Sequence, residues 1–203
     1  MLSTETTEGQ KEVLEETEKE IERLTKEFDA ARNKLLEAKR ARAPELVEDY
    51  ILQGSGGEDV RLSQLFGQKN EMILVHNMGK RCRYCTLWAD GLSGFVKHLE
   101  NKAAFVVTSP DDPETQSKFA RDRGWNFRMY STERSSFTRD MGFLKEEKSY
   151  WPGVSFFRKD ADGKIYRTAK DIFWPGDLYC SVFHLFDLLP SGQMDWEPEY
   201  HYT

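Results

Sequence analysis

Apolar positions in this chain follow two different periods, and the change between them divides it. From about Glu8 to Arg42, Leu14, Ile21, Leu24, Phe28, Ala31, Leu35 and Ala38 recur at steps of three and four, with one step missing after Leu14. The background is Glu, Lys and Arg, without proline. Such a seam predicts one long helix ending before Pro44. It fits either an amphipathic arm packed on its own domain or a dimerisation helix with a coiled-coil-like stripe.

From about Glu45 on, strand-like and helix-like segments alternate. "DVRLSQLFG" reads as a short strand and turn, and "EMILVHN" as a buried strand. Leu87, Trp88, Leu92, Phe95, Val96 and Leu99 then fall at helical spacing, and "AAFVVTS" is the next buried strand. "DPETQSKFARDRG" predicts a helix, with Asp112 as N-cap, Pro113 at the first helical position and Gly124 past the end. "GVSFFRKDADGKIYRTA" predicts a hairpin turning at Asp162 and Gly163, and "GDLYCSVFHLFDLL" a last helix. The order is β-α-β-α, a β-hairpin, then α. Strands alternating with helices imply a sheet covered on both faces. The expected organisation is a helical arm over residues 1–44 and an α/β domain over residues 45–203.

Composition narrows the function classes. With 203 residues, 38% of them hydrophobic, the chain can bury one sizeable core. A net charge of −6 argues against nucleic acid as a partner, since neutralising phosphates needs a basic face. No apolar run approaches membrane-spanning length, and "MLSTETTEGQKEVLEETEKE" has neither the basic nor the apolar region of a secretory signal. The expectation is a soluble, cytoplasmic protein with no membrane partner. No Gly-rich phosphate loop is present, so no organic cofactor is expected.

Three cysteines do not make a disulfide framework, but two of them are closely spaced, in "GKRCRYCTLWADG". A strand ends near Asn77 and a helix begins near Cys82, which places that thiol at a helix N-terminus. Unpaired N–H groups and the helix dipole favour negative charge there, and Lys80, Arg81 and Arg83 add to it. Both effects favour thiolate, the reactive form. Cys85 lies one turn further in, within reach of a mixed disulfide on Cys82. Cys82 is the candidate nucleophile and Cys85 the resolving thiol. A zinc site needs four ligands and there is no second Cys-x-x-Cys pair. Copper(I) would accept Cys82, Cys85 and His76, and two inert core thiols are a further reading. Cys180 and His184, four residues apart, share a helix face as core residues or as a third thiol and ligand.

The order of elements around Cys-x-x-Cys resembles the thioredoxin superfamily. The resemblance implies a three-layer sandwich, a central mixed sheet with helices on both faces, here preceded by a long helix. Thioredoxins place a proton-relaying Asp six residues before the first cysteine; His76 stands there. Arg81 replaces the usual Trp before that cysteine. A cis-proline facing the active site is implied at Pro152, and Trp151, Phe173 and Trp174 are implied to line the mouth as a substrate groove. A closer resemblance is to an uncharacterised thioredoxin-like family of unknown function, the DUF 899 type. It is carried by Cys82, Cys85, Thr86, Trp88, Ala89 and Asp90, by "LLEAKRARAPELVEDYIL" and by the peroxiredoxin-like entry "LSQLFG". Peroxiredoxins carry Thr three residues before the peroxidatic cysteine; here that residue is Gly79.

The expected activity is thiol–disulfide exchange, with Cys82 attacking, Cys85 resolving, His76 moving the proton and Pro152 shaping the groove. The partner would be a thiol or disulfide substrate, small molecule or protein, with a possible homodimer through the N-terminal helix. The alternatives are a copper(I)-binding protein or copper-dependent oxidase, and a non-catalytic interaction protein working through its arm.

Overall fold

A computed structural model describes residues 8–202. The chain divides into two compact units, Met1–Ala43 and Pro44–Thr203. In the first, α1 spans Glu8–Arg40 with none of its residues buried. The first seven residues of the expected arm lie outside the described residues. Side-chain pairs one turn apart run along α1: Arg23 bridges Glu20 and Glu27, and Lys26 meets Glu22. Exposed pairs of this kind add little to stability.

The second unit is built on one eight-stranded sheet. Its strands are β1 (Glu45–Val47), β2 (Ile51–Gln53), β3 (Asp59–Arg61), β4 (Glu71–His76), β5 (Ala104–Ser109), β6 (Arg128–Ser131), β7 (Gly153–Lys159) and β8 (Ile165–Ile172). They lie in the order β1-β8-β7-β4-β5-β6-β2-β3. β4 pairs parallel with β5 and antiparallel with β7, so the sheet is mixed. The helices are α2 (Leu62–Leu65), α3 (Arg83–Lys102), α4 (Pro113–Arg123), α5 (Phe137–Asp140) and α6 (Ser181–Asp187).

Both faces of the sheet are covered, and every residue of β5 is buried as a strand between two layers requires. Successive strand residues point to opposite faces. On β4, Met72 and Leu74 therefore enter one core with Leu62 and Leu65 of α2 and with Phe137 and Phe143. Val75 enters the other, with Trp88 and Val96 of α3, Phe173 and Phe183. This is the expected α/β sandwich.

Most predicted elements form. Asp112 caps α4 by accepting from the Thr115 N–H at 2.9 Å, and Gly124 ends the helix at φ 69°. The predicted turn after β3 is instead the single-turn helix α2. The last helix is shorter than its apolar pattern, with Cys180 as its N-cap rather than a residue of its face. Strands β1, β2 and β6 and helix α5 have only three or four residues each. That is too few to show a period.

Candidate active site

The site is built where β4 hands the chain to α3. After His76, the Asn77 N–H continues the β5 ladder by donating to the Thr108 carbonyl at 2.8 Å. The Asn77 side chain then organises the turn, accepting from the Gly79 N–H at 2.8 Å. Gly79 has φ +96°, and a Cβ there would lie 2.9 Å from the Asp111 carboxylate oxygens. Asp111 accepts the Lys80 N–H at 2.7 Å, so a carboxylate just past β5 holds the loop that presents the cysteines. Neither Asn77 nor Asp111 stood out in the sequence. Their only signal is a polar residue within two positions of the end of each buried strand.

Cys82 is the N-cap of α3, half-buried, and its sulfur accepts the Cys85 N–H at 3.0 Å. The neighbouring Cys85 side chain is the main cause that lowers the Cys82 pKa. The backbone N–H groups of Cys85 and Tyr84 act the same way, against the opposing effect of burial. Cys85 is buried at 3% exposure, on the inward stripe with Trp88 and Ala89. Burial first, and then the neighbouring Cys82, push its thiol well up. The two titrate as one pair sharing a proton, whose thiolate sits at the more exposed sulfur. None of the three cysteines is in a disulfide.

His76 lies apart from this pair. It follows Val75 on β4, so its side chain enters the face opposite α3. There it stacks on Phe143 at 3.8 Å between centroids, and its Nε2 bonds to Ser155 Oγ at 2.9 Å. Gly153, its partner across β4 and β7, leaves room for this: a Cβ there would lie 2.5 Å from the Phe143 ring. Its Nδ1 is buried without a partner. Burial, and then the charges of Arg167 and Lys170, hold the imidazole well below its usual range, hence neutral. The hydrogen bond to Ser155 does not lead to the cysteines, so the expected proton relay has no path through it. Nor does His76 join them as a ligand: among the described residues no three His, Cys, Asp or Glu side chains cluster to hold a metal.

Pro152 sits where expected, just before β7, beside the end of β4. The bond preceding it is trans, as are all described peptide bonds, which corrects the expected cis-proline. Trans is the lower state of an X-Pro bond by about 0.5–1 kcal/mol. The three aromatics also separate. Phe173 is core, 3% exposed and stacked on Trp88 at 5.7 Å. Trp151 and Trp174 are exposed and stack on one another at 6.4 Å. Because Gly153 pairs with both His76 and Ile172, this pair flanks the strand ends from which the cysteine loop departs. Asp177 ties the two regions: it accepts the Trp174 N–H at 2.8 Å and the Trp88 indole N–H at 3.3 Å.

The other motif residues are structural. Asp90 is ion-paired with Arg123 and accepts the Trp125 indole N–H at 2.7 Å. Cys180 is buried beside Trp88, and His184 bonds to the Asp177 carbonyl at 2.8 Å. The C-terminal tail comes close to the cysteines, a feature no motif announced. Arg83 pairs with Glu197 at 2.7 Å, and Arg123 donates to the Tyr200 carbonyl at 2.5 Å. Burial first, and then the charge at Cys82, raise the Tyr200 hydroxyl. A groove of about 460 Å³, lined by residues including Gln53, Asp112, Ser117, Arg121 and Arg134, contains no cysteine, histidine or aromatic residue. Concavity therefore does not locate the chemistry here.

No curated protein matches the chain. Solved structures do, at low identity. Peroxidoxin BcpB from Mycobacterium tuberculosis superposes with a TM-score of 0.51 at 22% identity, over 61% of this chain and 82% of that one. Thiol peroxidase from Chromobacterium violaceum gives 0.51 at 15%, over 65% and 76%. A cysteine-to-serine mutant of PrxQ from Xylella fastidiosa gives 0.50 at 15%, over 63% and 86%. At such identity the likeness is one of fold, and it agrees with the thioredoxin-like sheet described above. No helix among the described residues is long and apolar enough to cross a membrane. Over residues 3–202 the chain matches the model described as bacterial protein of unknown function (DUF899), and it belongs to that family.

Proposed function

We propose that the protein is a thiol–disulfide oxidoreductase. One observation carries this reading: the Cys82 sulfur is an N-cap that accepts the Cys85 N–H, with its pKa lowered while that of Cys85 is raised. The asymmetry supports a division of roles. Cys82 thiolate attacks one sulfur of a substrate disulfide, forming a mixed disulfide and releasing the other sulfur as a thiolate. Cys85 then loses its proton and attacks Cys82 Sγ, releasing the second substrate thiolate. The protein ends with a Cys82–Cys85 disulfide, and the substrate has gained two electrons, one proton coming from Cys85 and the other from water. Trp151 and Trp174 form an exposed aromatic surface on which a substrate would lie.

The test is the alkylation rate of Cys82 against pH on reduced protein, followed by turnover with a small disulfide. The midpoint is expected below the free-thiol value of about 8.5. A midpoint at or above that value, or turnover that survives Cys82→Ser, would sink the proposal.

A second reading follows from the structural neighbours, a peroxidoxin, a PrxQ and a thiol peroxidase. Cys82 thiolate would attack a peroxide oxygen, expelling the alcohol or water, and Cys85 would condense with the sulfenic acid to release water. Gly79 supplies no hydroxyl to orient the peroxide. Stopped-flow oxidation by hydrogen peroxide against oxidation by a disulfide separates the two readings.

A further inference from the structure

We propose that α1 is an antiparallel dimerisation helix whose partner is a second copy of this chain. At 33 residues the helix is about 50 Å long, and no residue of it is buried. Leu14, Ile21, Leu24, Phe28 and Leu35 lie 50–60% exposed along one seam. A stripe of five large apolar side chains in water calls for a cover. The occupant and its direction follow from two independent features of the seam.

The first is size. In heptad terms the a positions are Leu14, Ile21, Phe28 and Leu35, and the d positions are Thr17, Leu24, Ala31 and Ala38. The large residues are at a, and the small ones at d, apart from Leu24. A parallel pair sets a against a and d against d, stacking large on large and Ala on Ala. An antiparallel pair sets a against d. Leu14 then meets Ala38 of the second copy, Ile21 meets Ala31, Leu35 meets Thr17, and Leu24 meets Phe28 at the centre. Large faces small in every layer but the central one, and close packing needs that alternation.

The second is charge. Residues 8–25 hold seven glutamates against Lys11, Lys19 and Arg23, a net −4. Residues 26–42 hold six basic residues against Glu27, Asp29 and Glu37, a net +3. Antiparallel pairing lays each acidic half on a basic half. At the flanks, Glu20 meets Lys34 and Glu18 meets Arg32, each twice by symmetry. Lys11 meets Lys39, and Glu27 meets its own copy near the axis, where Arg23 already holds it at 2.5 Å. The parallel arrangement would gain Glu27 against Arg32 but set Lys34 against Lys39.

The experiment is sedimentation of the full chain. Wild type is expected to be a dimer at micromolar concentration, and Ile21→Glu with Phe28→Glu a monomer. Direction is read from charge. Glu20→Lys and Lys34→Glu, each alone, should weaken the dimer about tenfold, since two flanking attractions become repulsions. The double variant should restore it. Glu and Lys both favour helix, so α1 itself is kept. A monomeric wild type, or a dimer that survives the Ile21 and Phe28 changes, overturns the proposal. So does a Lys34→Glu variant that dimerises more tightly, since only parallel pairing relieves Lys34 against Lys39.

Discussion

Two cysteines of this domain occupy the same place in a helix and have opposite character. Cys82 is the N-cap of α3 and Cys180 the N-cap of α6, with similar extended backbones (φ −96°, ψ 103° and φ −129°, ψ 104°). The Cys82 sulfur turns to the first-turn N–H groups, and with the Cys85 side chain beside it its pKa falls. The Cys180 side chain makes no cap hydrogen bond and lies in the core beside Trp88; burial raises its pKa. A helix N-terminus therefore does not activate a thiol by position alone. The sulfur must face the donors, and something must donate to it. One adjacent cation is turned elsewhere: Arg83, next to Cys82, is engaged by Glu197.

The comparison breaks most sharply at the nucleophile. Cys82→Ser is expected to reduce disulfide turnover to background, whereas Cys180→Ala leaves it unchanged; a turnover assay on the two variants checks both. Next comes the residue that packs between the caps. Trp88→Ala should cost about 3–5 kcal/mol in denaturant unfolding, since it empties the core that α3 and α6 share. Truncating exposed Trp174 should stay within about 0.5 kcal/mol.

His76 extends the comparison to a buried base. Its folded pKa lies well below the unfolded value, so unfolding takes up a proton once the pH falls below about 6.5. His76 thus supports the fold above that pH, and this support is lost as acid is added. The slope is up to about 1.4 kcal/mol per pH unit, and His76→Phe should flatten it in unfolding measured between neutral and mildly acidic pH. The finest test is a direction. Cys85→Ala removes the first cause of the lowered Cys82 pKa, so the alkylation midpoint should rise. An unmoved midpoint would assign the effect to the backbone N–H groups alone.

The sheet and the place of Cys82 at the start of a helix were legible because each rests on local rules. Asp112, Pro113 and Gly124 mark both ends of α4, and the apolar runs of β4 and β5 mark a core covered twice. What was illegible depends on facing and on distant partners. The offset of His76 from Cys82 matches a known pattern. Yet one step of strand alternation, Val75 to His76, decides which core the ring enters. Asp90 meets Arg123 and Trp125, more than thirty residues on, and no spacing rule links them. Phe173 and Trp174 are neighbours of one type, but only the first is covered, by a helix whose packing the sequence does not state.

The turn before Cys82 also limits which side chains it can hold. Gly79 lies at positive φ with the Asp111 carboxylate where a side chain would begin. A hydroxyl residue at that position would need a backbone region that β-branched side chains avoid, and it would displace the clamp on Lys80. A threonine three residues before Cys82 would therefore strain the backbone and push the Asp111 carboxylate aside, so a hydroxyl there calls for a rebuilt turn.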